Sequence, residues 1–322
     1  MSSLLWSALI FLLMNFWWFL AGAIGVAVLG RIIYRFRVFG LNSKEIRYII
    51  RRLPFYALVG GFSFLSVAPF MIMILHTFKQ DADLYRRAHP FIFRREPTLE
   101  HLQHLMGGTD YLYFLQNSLL VGIVVVLITL AFALPAGYAL ARLAGRWGER
   151  AGVLMFLIYL LPPTLLFIPM FRIVVFLGLK DSLWSLILIY PTITVPFSVW
   201  LLQGFFKSIP IELEEAARVD GYNRVESFLR VIMPLSLPGI ISTVVFTFTL
   251  TLHEFIYGLV FISETKLRTI SVGVPTELIL GDVYFWQPLL AAAVIVAIPV
   301  GLVYNLFLDR LIQGFTMGAV KG

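Results

Sequence analysis

Thr243, Thr247, Thr251, Glu254 and Gly258 recur at i, i+4, i+8, i+11 and i+15 in the apolar run 239–262. That spacing lines them along one side of a helix. An ionisable group inside such a run needs a partner or a water-filled cavity, because hydrocarbon supplies neither. His253, Glu254, Phe255 and Tyr257 add an imidazole, a carboxylate and two rings. Together with Thr247 and Thr251 they suit hydrogen bonding to solute hydroxyls along a transmembrane path. They suit polar packing against a neighbouring subunit equally well, since threonines readily satisfy their own backbone. Tyr190, Thr192 and Thr194, beside Pro191 and Pro196, are weaker candidates for the same path. Zinc-peptidase chemistry is excluded, because Tyr257 stands where the second histidine of H-E-x-x-H is required. His101 and His104 lie one helical turn apart but have no third ligand nearby, so no metal site is predicted. No G-x-x-x-x-G-K-[ST] loop occurs, so this chain holds no ATP in the P-loop manner. The absence of cysteine excludes disulfides, thiolate metal sites and iron–sulfur clusters.

A second stretch has a different character. Residues 208–238 form the longest polar, helix-capable insert between two apolar segments. Pro210 suits the first turn of a helix, with Glu212, Glu214 and Glu215 near its positive end. Leu213, Ala216 and Ala217 share one side, small enough for a partner surface to approach closely. Asp220 precedes Gly221, which suits a left-handed helix stop. Asn223 and Glu226 have the spacing of a capping box for a second helix. Val225, Phe228, Leu229 and Ile232 then make an apolar stripe that Pro234 is expected to end. The prediction is a helix–turn–helix hairpin.

The elements that position these residues are membrane spans. The 322-residue chain is 60% hydrophobic and 13% charged, against about a quarter charged in soluble domains. Seven apolar runs are long enough to cross hydrocarbon: 4–30, 53–78, 117–141, 151–177, 183–206, 239–262 and 288–308. The first is read as a retained helix rather than a cleaved leader, because no Lys or Arg precedes it and it exceeds a signal-peptide core. Arg31, Arg35 and Arg37 follow it and open a basic connector, 31–52. Prolines inside the later runs (Pro135, Pro162, Pro163, Pro169, Pro191, Pro196, Pro299) free backbone carbonyls that must face protein or water. A packed bundle with an internal pathway accommodates them. With the N-terminus outside, 16 of the 25 Lys and Arg fall in cytoplasmic segments and 8 in external ones. This positive-inside bias predicts a cytoplasmic C-terminus and hairpin. The net charge of +7 is thereby explained by topology, with no nucleic acid required.

Glu215-Ala216-Ala217, Gly221 four residues on, nine residues, then Val231-Ile232-Met233-Pro234 resembles the EAA loop of permease subunits in binding-protein-dependent ABC importers. Further stretches are similar to the second permease subunit of the maltose-type, carbohydrate-uptake group. They include Thr77-Phe78-Lys79, Asn117-Ser118-Leu119, Gly137–Arg142, Ile209–Leu213 and Gly318–Gly322. Leu252 and His253 depart from the Trp-Asn-Glu-Phe common in that group. The resemblance implies an all-α, polytopic helix bundle with the six-span type I importer core in residues 53–322 and one additional helix in residues 1–30. It implies that residues 208–238, with Glu215, Ala216, Ala217, Asp220, Gly221 and Pro234 at their centre, dock on separate ATPase subunits that bind ATP and Mg. It further implies a second, different permease subunit, an extracytoplasmic solute-binding protein, a sugar or oligosaccharide as solute, and no catalysis by this chain. An ion-coupled secondary transporter built on Glu254, or an importer of a non-sugar solute, are the alternatives.

Overall fold

A computed structural model of the chain describes residues 43–84, 93 and 95–319. The predicted first span (4–30), the connector up to residue 42, Arg86, Arg87, His89, Arg94 and residues 320–322 lie outside the described residues. The described chain divides into two compact units. One takes the residues up to Gly108 with Val283–Val296; the other takes Thr109–Asp282 with those from Ala297.

In the first unit, helix α1 (Ser43–Thr77) runs unbroken through Pro54 and Pro69. The end of the predicted connector and the second span are therefore one helix, without a break at 52/53. From Phe55 to Phe70 it exposes nearly every large apolar side chain, a surface that lipid accepts and water does not. Beyond the predicted span 53–78, this unit has a helical turn at Asp81–Leu84 and helix α2 (Glu100–Gly107). Lys79 is buried, and its Nζ lies 5.6 Å from the Phe93 ring centroid. Burial pushes the Lys79 ammonium down in pKa, and the charge of Asp83 opposes that shift. His101 Nε2 donates to the Lys79 carbonyl at 3.0 Å. No group of three metal-ligating side chains occurs among the described residues.

In the second unit, α3 (Tyr111–Arg142) is 32 residues long, about 48 Å at the helical rise. The predicted span 151–177 is two helices, α4 (Gly145–Tyr159) and α5 (Pro163–Phe176), set at 88°. The cause is local: each residue before a proline avoids the α region, and here Leu161 and Pro162 both precede one. Neither piece alone reaches the roughly 30 Å of the hydrocarbon core. Next come α6 (Leu183–Ile189) and α7 (Pro191–Ser208), which together run as one 26-residue span. The hairpin follows as α8 (Ile211–Val219) and α9, the stretch Arg224–Leu235. Helix α10 (Leu237–His253) leaves α9 at 75°. Short α11 (Ile256–Phe261) and α12 (Ile270–Leu278) precede α13 (Trp286–Ala319), which belongs to this unit from Ala297 on.

Two apolar clusters hold this unit, one at the middle of α3 and one toward its C-terminal end. Val121, Val125, Leu186, Tyr190, Ile193, Tyr257 and Phe261 form one. Ala133, Tyr138, Val199, Leu202, Phe206, Ile209 and Ile232 form the other. Between them, buried Thr129 and Thr194 share a 2.7 Å hydroxyl–hydroxyl hydrogen bond. Glycines permit close helix approach: at Gly239 a Cβ would lie 2.5 Å from the Phe205 ring.

Candidate functional site

The hairpin closes on itself by local bonds. After α8, Gly221 takes φ +94, so the Tyr222 N–H reaches the Ala217 carbonyl at 3.0 Å and the Gly221 N–H reaches Arg218 at 3.2 Å. This is a Schellman stop. The Asn223 side chain accepts from the Glu226 N–H at 2.9 Å, and the Glu226 carboxylate accepts from the Asn223 N–H at 2.9 Å. Both predicted devices are thus present. The stripe on α9 differs from expectation. Residues Phe228–Ile232 form a π turn, in which the Met233 N–H reaches back to the Phe228 carbonyl. Phe228 and Ile232 face inward, while Val225 and Leu229 are more than half exposed. Pro234 does not end the helix, which continues to Leu235. The π turn lies just ahead of the proline, whose ring would otherwise meet the carbonyl four residues back.

The two faces of α8 are sharply divided. Glu214 and Ala217 are buried against their own chain, whereas Ile211, Leu213, Glu215, Ala216 and Asp220 are exposed and Val219 is 87% exposed. Ala217 therefore does not share the open face with Leu213 and Ala216; its methyl lets α8 lie close to the chain's own core. Glu215, Arg218, Val219, Tyr222, Asn223 and Arg224 line a shallow recess of about 510 Å³. The Arg230 guanidinium lies 5.2 Å from the Tyr222 ring centroid.

Beneath that surface lies a polar cluster that the sequence reading missed. The Tyr138 hydroxyl donates to Glu214 Oε1. Arg142 Nε lies 3.5 Å from Glu214 Oε2, a charge contact rather than a formed hydrogen bond. Arg142 Nη2 donates to the Ile209 carbonyl at 2.6 Å. The Tyr138 ring packs on Phe228 of α9 at 4.6 Å and on Phe206 of α7 at 6.1 Å between centroids. The legible signal was the i, i+3 pairing of Glu214 with Ala217 and the i, i+4 pairing of Tyr138 with Arg142 on a span's last turns.

The residues proposed from sequence as a solute path are placed differently from their helical projection. Helix α10 stops at His253, and Glu254 is extended at φ −67, ψ 126. The stripe of five therefore does not run along one helix. Thr243, Thr247 and Thr251 are buried within the chain; Thr243 donates to the Gly239 carbonyl at 2.9 Å and Thr251 to Phe248 at 2.8 Å. Thr247 Oγ1 has no hydrogen-bond partner among the described residues. The Glu254 carboxylate caps α11, accepting from the Tyr257 N–H at 2.9 Å and the Gly258 N–H at 3.1 Å. Negative charge is favoured at that helix end. Glu254 also accepts from the buried Tyr190 hydroxyl at 2.8 Å. The Tyr257 hydroxyl donates to the Pro163 carbonyl at 2.9 Å, holding α11 to the first residue of α5. Thr192 Oγ1 donates to Ile189, while Thr194 belongs to the buried pair with Thr129. Only His253 and Phe255 of this set are exposed.

Relatives share most of this chain. The inner membrane ABC transporter permease protein YcjP of Escherichia coli is 30% identical, over 85% of this chain and 98% of its own length. The sulfoquinovosyl glycerol transport system permease protein SmoH of Agrobacterium fabrum is 32% identical, over 87% and 95%. The diacetylchitobiose uptake system permease protein DasC of Streptomyces coelicolor is 32% identical, over 80% and 92%. In fold, the chain matches a crystal structure of a bacterial ABC transporter involved in the import of the acidic polysaccharide alginate. The TM-score is 0.67 at 19% identity, covering 84% of this chain and 98% of that one. A second match is to the bacterial alginate ABC transporter in complex with an alginate pentasaccharide-bound periplasmic protein, with a TM-score of 0.60 at 15% identity, covering 81% and 94%. Residues 133–316, more than half of the chain, match the family described as binding-protein-dependent transport system inner membrane component, and the chain belongs to that family.

Proposed function

We propose that this chain is one permease subunit of a carbohydrate ABC importer, lining the membrane path for a sugar or oligosaccharide together with a second, different permease subunit. Two ATPase subunits holding ATP and Mg dock on the 208–238 hairpin from the cytoplasm, and an extracytoplasmic binding protein delivers the solute. The N-terminus lies outside and the C-terminus inside, as the distribution of Lys and Arg supports. The observation that carries this reading is the open face of α8. Leu213, Ala216 and Val219 are exposed on a helix whose other side is anchored, and uncovered apolar surface of that kind marks a protein interface. The carbohydrate assignment rests on relatives named for sulfoquinovosyl glycerol, diacetylchitobiose, and trehalose and maltose. Hydrogen bonding within the chain accounts for the Glu254 carboxylate, which leaves no observation favouring ion-coupled transport.

The test is purification of the complex followed by uptake of labelled maltose, trehalose and diacetylchitobiose into proteoliposomes. Ala216→Arg is expected to release the ATPase subunits and abolish uptake while the permease pair stays assembled. Normal uptake and intact assembly with Ala216→Arg would exclude the docking face.

A further inference from the structure

Tyr138 and Arg142, one helical turn apart near the end of α3, hold three separate parts of the hairpin. Arg142 grips the Ile209 carbonyl at the entry to α8. Both residues engage Glu214 in the middle of α8. The Tyr138 ring packs on Phe228 in the π turn of α9. Side chains of Arg142 and Glu214 are each only 9% exposed. We infer that Tyr138, Arg142 and Glu214 form a positioning joint that fixes the register of the hairpin against α3. Through it, displacement of the hairpin is delivered to α3. The inference rests on the proposed docking of ATPase subunits on the hairpin.

The physical reason is directionality. The hydrophobic effect is non-directional and by itself fixes the position of α8 less sharply than directed bonds do. Hydrogen bonds weaken steeply with misalignment, and a buried carboxylate separated from its guanidinium is strongly disfavoured. A slip of α8 along α3 breaks the Glu214 contacts while leaving the Ile209 grip behind, so the hairpin and the inner end of α3 move as one body. Burial of Ala217 on the same face brings α8 close enough for these contacts.

The test uses the whole complex in proteoliposomes, with the cognate binding protein as probe. Arg142→Met/Glu214→Leu replaces the pair by apolar groups of similar size, a change that buried ion pairs commonly tolerate in stability. The expected variant keeps its ATPase subunits and basal hydrolysis, but stimulation of hydrolysis by the binding protein falls about tenfold, within the range typical of coupling between sites. Glu214→Gln still accepts from Tyr138, loses the charge contact, and is expected between wild type and double variant. Full stimulation in the double variant would reduce the cluster to packing and overturn the joint. Loss of the ATPase subunits from it would also overturn the joint, by assigning the cluster to assembly. A wild-type chain that purifies without ATPase subunits sinks the docking reading itself, and the joint with it, before any variant is measured.

Discussion

Ala216 and Ala217 are neighbours in sequence and opposites in surroundings. Arginine at 216 enters open space, whereas arginine at 217 is forced into the buried side of α8. An unpaired buried charge costs several kcal/mol, so Ala217→Arg is expected to lower the thermal midpoint of the permease itself, where Ala216→Arg leaves it unchanged. Asp181 offers a different test. It adopts φ +58, and its carboxylate accepts from the Ser263 N–H at 2.5 Å and the Glu264 N–H at 3.3 Å. These bonds, led by Ser263, hold its pKa below the ordinary 3.8. A lowered folded pKa adds stability that is present above the unfolded value and is lost as pH falls through the folded one. Asp181→Ala should therefore be less stable than wild type at pH 7, with the gap narrowing below about pH 4 to the pH-independent strain of alanine at positive φ when thermal midpoints are compared. The caps of the hairpin were legible in sequence because Asn223 meets Glu226 three residues away. The role of Glu214 was not, because its partner Tyr138 lies 76 residues away and only the fold brings them together.

At the scale of elements, proline pairs and glycine contacts decide where spans bend and how closely they pack. The apolar run 151–177 carries no mark of its right angle except Pro162 and Pro163, and a hydropathy count sees one span there. The break after His253 was equally hidden, because its cause is a carboxylate capping the next helix, and that needs Tyr190 from α6–α7 to complete it. Contact between α7 and α10 depends on the missing side chain at Gly239. Gly239→Val is expected to push these helices apart and destabilise the permease by about 1–3 kcal/mol. Phe205→Ala should restore part of the loss, as read from paired unfolding curves.

For the molecule as a whole, the proposed orientation has a direct check, because the sequence has no cysteine to confuse it. Lys266→Cys is expected to react with a membrane-impermeant thiol reagent in intact cells, and Ala216→Cys only after permeabilisation. Reversal of that pattern would invert the topology. The wide turn at 228–232 has one last consequence. It holds an extra residue relative to an α turn, so deleting a single residue there would rotate everything downstream by about 100° in helical phase. Pro234 and the bend into α10 would then point elsewhere, whatever amino acids remained. A change of length there is thus a different kind of lesion from a change of side chain, and the nine residues between Gly221 and Val231 act as a ruler cut to that phase.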